Sequence, residues 1–192
     1  MDTQIFNLEL KNKREEITMK VFINPGHDRQ LDPGCCNPVS GLREADVAWD
    51  IGALVQTYLN NIGIETIIYQ NDSLSSVCQN ANSSGSDLFI SIHCNGFNTV
   101  AKGTETLVYR MNGGASQKLA SCIQKQLIDS LHTVDRGLKE RPNLYVLNST
   151  DMPAVLVETA FIDNEEDVQL LVNKKDDFAR AIARGVTDYM NL

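Results

Sequence analysis

Three features that the sequence lacks narrow what this protein can be. No run approaches the ~20 apolar residues that a membrane-spanning helix needs, so we expect no membrane insertion. There is no excess of positive charge, and the formal net charge of −8 argues against electrostatic capture of nucleic acid or of an anionic membrane surface. Residues 1–20 lack the apolar core of a secretory signal peptide, so we expect synthesis in the cytoplasm.

A disulfide framework is not expected either, because the chain has 5 cysteines, an odd number, in 192 residues. We expect most of them to be reduced, or buried as small hydrophobic residues. Cys35 and Cys36 are adjacent in a loop rich in Gly and Pro. That spacing suits neither a structural zinc knuckle nor a redox pair.

The chain is long enough for one domain with a sizeable core, and no internal repeat, low-complexity tract or linker marks a second domain. Residues 1–18 are interpreted as an N-terminal extension, because a few apolar residues alternate with polar ones before the charged stretch 14–16. This extension is either an edge strand or a tail. The domain proper is then predicted to span residues 19–192.

Strand and helix patterns mostly alternate from residue 20 onward. This order predicts an α/β fold, a single domain with a twisted, mostly parallel β-sheet flanked by helices on both faces. A long loop, 28–41, follows the first strand, and loops of this length are often functional. The predicted strands are 20–24, 65–70, 87–93, 104–110, 144–147 and 154–160, and the predicted helices are 42–62, 73–84, 115–132, 165–172 and 174–190.

Two of the three histidines stand where apolar, strand-like runs stop. His27 follows the run that begins at Val21, and His93 follows the run that begins at Leu88. Because the carboxyl ends of parallel strands open into one crevice, these imidazoles are candidate metal ligands. Each also has an ordinary explanation, a turn position for His27 and a backbone carbonyl partner for a buried His93. His132 ends a predicted helix, where a cation complements the dipole, and is left out of the site.

Two carboxylates are candidates for the same crevice. Glu158 lies inside an apolar strand, where a charged group is normally paired, bound to metal or functional. The ordinary alternative is an ion pair with a nearby arginine. Glu44 opens the first helix, where the macrodipole alone favours an acidic residue, but its spacing to Ala48 and Ile51 places it on the buried stripe.

Together these four residues suggest a hydrolytic zinc centre with one Zn²⁺ per chain. A catalytic zinc ion takes three protein ligands and keeps one position for water, and His27, Glu44 and His93 supply three ligands. The metal lowers the pKa of the bound water, and an adjacent carboxylate accepts the proton. Glu158 is the candidate for that base.

Four motifs that contain these residues resemble those of the zinc-dependent N-acetylmuramoyl-L-alanine amidases of the amidase-3 type. The motifs are Asn24-Pro25-Gly26-His27, Gly41-Leu42-Arg43-Glu44, Ser91-Ile92-His93-Cys94-Asn95 and Val155-Leu156-Val157-Glu158. Segments 103–109 and 161–164 fit the same family pattern, and the resemblance runs from about residue 20 to the C-terminus. One departure is the absence of an arginine from 77–86, the stretch before the Ser-Ile-His motif, where the family usually has one.

The resemblance implies hydrolysis of the amide bond between N-acetylmuramic acid and the first L-alanine of the peptidoglycan stem peptide. It implies zinc binding by His27, Glu44 and His93, catalysis by Glu158, and substrate contact by Asn95. Peptidoglycan is then the expected partner, and the bacterial cell wall, reached after release or lysis, is the expected place of action. Two alternatives are kept, a zinc peptidase that cuts within the stem peptide and a catalytically inactive wall-binding module.

Overall fold

The computed structural model describes residues 19–192, and the extension predicted for 1–18 lies outside the described residues. None of the helices in the described part combines the length and apolar character needed to cross a membrane. The elements in chain order are β1 (Lys20–Pro25), α1 (Glu44–Asn61), β2 (Glu65–Ile68), α2 (Leu74–Ser83), β3 (Leu88–Asn95), β4 (Thr104–Val108), α3 (Ala115–Leu131), β5 (Asp135–Glu140), α4 (Tyr145–Asn148), β6 (Ala154–Phe161), α5 (Glu165–Asn173) and α6 (Lys175–Met190).

The strands form one six-stranded sheet in the order β2-β1-β3-β6-β4-β5. The four strands β2, β1, β3 and β6 run parallel, whereas β4 is antiparallel to β6 and parallel to β5. The predicted mostly parallel α/β sheet is therefore confirmed. As a consequence, the carboxyl ends of β1, β3 and β6 share one edge of the sheet with the amino ends of β4 and β5.

Helices cover both faces of the sheet, as predicted, because successive residues of the central strands feed two separate cores. In β1, Val21 and Ile23 belong to the core that contains α1, α3 and α6, while Phe22 points into the core that contains α2 and α4. This two-sided burial explains why the strand sequences are continuously apolar. Across the first face α3 and α6 pack closely, and a Cβ added at Gly185 would lie 2.5 Å from the Cα atom of Ile123.

In the second half of the chain, one predicted strand was wrong and one strand was not predicted. Residues 144–147 are not a strand: Tyr145–Asn148 form the short helix α4, which buries Val146 and Leu147 against the second core. The edge strand β5, Asp135–Glu140, was not predicted, since it is only half-buried and contains Gly137 in a left-handed conformation. These errors leave the positions of the other strands and of the site unaffected.

The cysteines take no part in cross-links. All five are free, with Cys78 and Cys94 buried and Cys35 and Cys36 exposed. The expectation of reduced or buried cysteines is consistent with this arrangement.

Candidate metal centre

The first histidine reaches the site through a tight turn at the end of β1. His27 has φ 63°, a left-handed conformation that is uncommon for residues other than glycine. Gly26 precedes it, and a Cβ at that position would lie 2.2 Å from the imidazole of His93. The Pro-Gly-His motif therefore has a steric reason, because only glycine lets the two histidines come this close. Their ring centroids lie 5.1 Å apart.

Glu44 lies between the two histidines and contacts both. Its Oε2 atom is 3.1 Å from Nε2 of His27, and its Oε1 atom is 2.9 Å from Nδ1 of His93. The backbone amides of Cys35 and Cys94 donate to the same two oxygens, at 2.9 Å and 3.0 Å. Only 2% of the Glu44 residue is exposed, so the predicted buried position at the start of α1 is confirmed. One donor atom from each of the three side chains lies within 4.8 Å of the others.

The long loop 28–41 supports His27 from its other side. Oδ2 of Asp32 lies 2.6 Å from Nδ1 of His27, and Oδ1 of Asp32 accepts a hydrogen bond from the amide of Gly34. Gly34 is left-handed with φ 66°, and a Cβ there would lie 2.7 Å from Oε2 of Glu44. Sequence reasoning missed Asp32, because a carboxylate in an Asp-Pro-Gly stretch is typical of an ordinary turn.

The histidine–glutamate cluster is strongly polarised. Burial opposes the charge on Glu44, but hydrogen bonds from His27 and His93 outweigh it and hold the pKa of this carboxyl well below its usual range. The hydrogen bond to Glu44 raises the pKa of His27 to about 9 against the opposing effect of burial, and Asp32 adds to the increase. Protons and divalent cations compete for such donors, so this cluster has the charge distribution that suits a cation.

Glu158 lies beside this cluster on β6. It is in register with His93 on β3 and with Glu105 on β4. Its Oε2 atom is buried and has no hydrogen-bond partner among residues 19–192, and no ion pair with an arginine is formed there. Burial raises the pKa of Glu158 to about 7, with Glu44 and Glu105 adding to the rise and His93 opposing it. A buried carboxylate that titrates near neutrality is suited to proton transfer.

A second buried carboxylate continues the site away from the histidines. Glu105 is 5% exposed, and its Oε2 atom accepts a hydrogen bond of 2.9 Å from Nε of Arg136. Its other oxygen accepts from the side-chain amide of Asn95 at 3.2 Å. Sequence reasoning missed Glu105 and Arg136 as site residues. For Glu105 the available signal was the one used for Glu158, a charged residue inside an apolar strand.

The segment between β3 and β4, here called the rim loop (96–103), is fastened to the start of α5. Oδ2 of Asp163 accepts hydrogen bonds from the amides of Phe97 and Thr99, at 3.1 Å and 2.8 Å. Oδ2 of Asp167 accepts another from the amide of Gly103 at 2.8 Å. One short stretch of chain therefore anchors the rim loop, which begins directly after Asn95.

The fold and the site together define a class, an α/β protein with two imidazoles and two carboxylates at the carboxyl edge of its parallel strands. The donor set of His27, Glu44 and His93 fits zinc, which accepts nitrogen and carboxylate ligands and keeps an open position in catalytic sites. The orphaned oxygen of Glu158 lies next to that donor set, where a hydrolytic centre needs a base.

The chain belongs to the N-acetylmuramoyl-L-alanine amidase family, whose pattern it matches over residues 21–188. It is 38% identical over 197 residues to the N-acetylmuramoyl-L-alanine amidase LytC of Bacillus subtilis (strain 168), an alignment that covers 98% of this chain and 38% of LytC. It is 32% identical to the endolysin of Bacillus phage SPP1, with 90% of this chain and 66% of the endolysin covered. The chain therefore spans only part of the length of these curated relatives.

Solved structures agree with this assignment. The crystal structure of an N-acetylmuramoyl-L-alanine amidase from Clostridium difficile 630 superposes with a TM-score of 0.86 at 30% identity, covering 91% of this chain and 97% of that one. The family resemblance seen in the four motifs is thus confirmed, despite the missing arginine before the Ser-Ile-His motif.

Proposed function

We propose that residues 19–192 form a zinc-dependent N-acetylmuramoyl-L-alanine amidase domain acting on peptidoglycan at the bacterial cell wall. The bond cleaved is the amide between the lactyl group of N-acetylmuramic acid and the first L-alanine of the stem peptide. Family membership over 21–188 supports the reaction. The observation that carries the chemistry is the buried, unpartnered oxygen of Glu158 next to the His27, Glu44 and His93 donors.

His27, Glu44 and His93 would hold the zinc ion. When bound, zinc supplies a Lewis acid that polarises the scissile carbonyl and lowers the pKa of a water molecule. Asp32 orients His27 through Nδ1, an arrangement that fixes the ring and raises its basicity in many zinc sites. Backbone amides from Cys35 and Cys94 fix the Glu44 carboxylate in the same way.

Glu158 moves the proton. Its free Oε2 atom accepts a proton from the attacking water and then delivers it to the amine of the departing alanine. Burial makes both steps feasible at one position, because a pKa of about 7 leaves both protonation states populated near neutral pH.

Asn95 is proposed to contact the substrate. It ends β3 two residues beyond His93, so both side chains lie on the same face of the strand. Its amide nitrogen already donates to Glu105, and its oxygen accepts from the amide of Gly96 at 3.1 Å. The side chain is therefore fixed in place at the edge of the cleft before any substrate arrives.

Digestion of purified peptidoglycan with and without a chelator, followed by mass analysis of the products, tests this proposal. An amidase leaves muramic acid with a free lactyl carboxylate and releases peptides that begin with L-alanine, and chelation should stop the reaction. Products cut within the stem peptide would instead identify a peptidase. Binding to peptidoglycan that survives chelation, with no turnover before it, would indicate an inactive wall-binding module.

A further inference from the structure

Four side chains form a row across four neighbouring strands at the site edge of the sheet. His93, Glu158 and Glu105 are in register on β3, β6 and β4. Arg136 on β5 extends the row through its hydrogen bond to Glu105. With neighbouring strands ~4.8 Å apart, the row reaches roughly 14 Å from the candidate metal ligand to the arginine.

Arg136 is held in a fixed orientation by two contacts. Its Nε donates to Oε2 of the buried Glu105 at 2.9 Å, and its guanidinium carbon lies 4.8 Å from the ring centroid of Phe161. Its two terminal amino groups make no hydrogen bond to residues 19–192, and 34% of the side chain is exposed. The protein therefore orders the guanidinium while leaving its outer donors accessible.

The two terminal amino groups of the Arg136 guanidinium, its outer donors, have the geometry to bind a carboxylate. The planar fork binds a carboxylate through two parallel hydrogen bonds, and its entropic cost is low when the side chain is already ordered. Within the row, Arg136 is the permanent cation, and it is hydrogen-bonded to the carboxylate of Glu105. An anionic group entering the cleft is therefore attracted to this end of the row and not to its centre.

The reaction chemistry indicates which part of the substrate carries the anionic group that Arg136 would bind. The carboxyl of muramic acid is the acyl part of the scissile amide, so it is not free before cleavage. We propose that Arg136 is a substrate-binding residue that selects a free carboxylate on the peptide portion of the uncut substrate. This inference rests on the proposed amidase function and adds a specificity element to it.

The test compares soluble N-acetylmuramoyl tripeptides with an acidic second residue, in which the peptide carboxylates are converted to carboxamides one at a time. For the wild-type zinc enzyme, amidation of the recognised carboxylate should lower kcat/KM about 10- to 100-fold, mainly through KM, as expected for hydrogen bonds to a charged group. Arg136→Gln should lose this preference, so that its kcat/KM values for the acidic and the fully amidated substrates become nearly equal. Arg136→Lys, which keeps the charge but not the fork, should retain part of the preference.

Arg184→Gln is the matched control, because Arg184 is an exposed arginine on α6. This variant should prefer the acidic substrate over the amidated one to the same extent as wild type. The inference is overturned if wild type cleaves all amidated forms equally well, or if Arg136→Gln slows every substrate by the same factor. The wild-type comparison needs no variant, so a folding defect in Arg136→Gln leaves the test intact. Failure of wild type to cleave any muramoyl peptide would overturn the proposed amidase function itself.

Discussion

Glu158 and His93 occupy facing positions on β6 and β3, so the candidate base stands one strand away from a candidate metal ligand. No loop rearrangement is needed to bring them together, since the pairing of two central strands sets their separation. Both strands are central in the sheet and largely buried, so each is paired with a neighbouring strand on both sides.

Replacing Glu158 by Gln should remove turnover without removing the metal. The amide keeps the shape of the side chain but cannot accept the proton, so peptidoglycan hydrolysis should fall about 10²- to 10⁴-fold. Dye release from labelled peptidoglycan measures the rate, and elemental analysis measures zinc. Glu165→Gln, at an exposed position, should match wild type in both. Hydrolysis by Glu158→Gln within a few-fold of wild type would exclude this glutamate as the base.

Asp32→Asn should weaken zinc binding while leaving the fold in place. Loss of the carboxylate beside Nδ1 of His27 reduces the basicity and orientation of that ligand, and such changes typically lower metal affinity 10- to 100-fold. Competition with a chromogenic chelator gives the affinity. Asp72, which is exposed, offers the control Asp72→Asn. An unchanged affinity in Asp32→Asn would mean that Asp32 shapes the loop and does not tune the ligand.

Chelated protein should become less stable as the pH rises from about 5 to 8. The pKa of Glu158 is raised from 4.5 to about 7 on folding, so between these values the folded state binds the extra proton and loses stability with rising pH, by roughly 3 kcal/mol in total. The pKa of His27 is raised from 6.5 to about 9, so this residue adds a second loss of stability that begins above about pH 6.5 and continues to about pH 9. The lowered pKa of Glu44 contributes stability that is present throughout this window.

Urea unfolding of the chelated protein at several pH values checks this expectation. Glu158→Gln should show a much flatter stability profile between about pH 5 and 6.5, because its side chain no longer titrates, whereas the loss due to His27 above pH 6.5 should remain. A profile as steep as that of wild type would assign the pH dependence to other groups.

Gly185→Ala should destabilise the protein, although alanine is normally the better helix former by up to ~1 kcal/mol. The added Cβ would meet the backbone of Ile123 at 2.5 Å, so α3 and α6 must separate. Overpacking of this kind costs about 1–3 kcal/mol. Urea unfolding measures the loss, and Arg184→Ala, at the exposed neighbouring position, should change stability little. Equal or higher stability of Gly185→Ala would show that the two helices can adjust.

The sequence was most informative where burial and periodicity coincide. The strand predicted at 20–24 and the helix predicted at 42–62 correspond to Lys20–Pro25 and Glu44–Asn61, because apolar residues on both faces of a strand or along one helix stripe are direct signs of burial. The edge strand β5 has neither sign, since Gly137 and several charged residues interrupt it. Residues 144–147 are apolar enough for a strand, but Tyr145–Asn148 form a short helix that packs Val146 and Leu147 into the second core.

The residues of the candidate site also separate into those that the sequence predicts and those that it does not. His27, Glu44, His93 and Glu158 were found because polar groups at strand ends or inside apolar segments stand out in the sequence. Asp32 and Arg136 were not found, because each is an ordinary loop or edge residue until the fold brings it to His27 or Glu105. The contact between Arg136 and Glu105 joins residues 31 positions apart, and the contact between Asp32 and His27 depends on the path of the loop, so neither has a local sequence signal.

The attachment of the rim loop to Asp163 and Asp167 has a consequence for which parts of the molecule are held together. Asp163 precedes α5 and Asp167 lies in its first turn, whereas the candidate metal ligands lie on α1 and β3 and in the turn after β1. Local unwinding at the first turn of α5 would therefore release the Gly103 end of the rim loop while the candidate metal ligands, held by other elements, kept their spacing. The rim loop and the His27–Glu44–His93 cluster thus depend on separate parts of the chain for their stability.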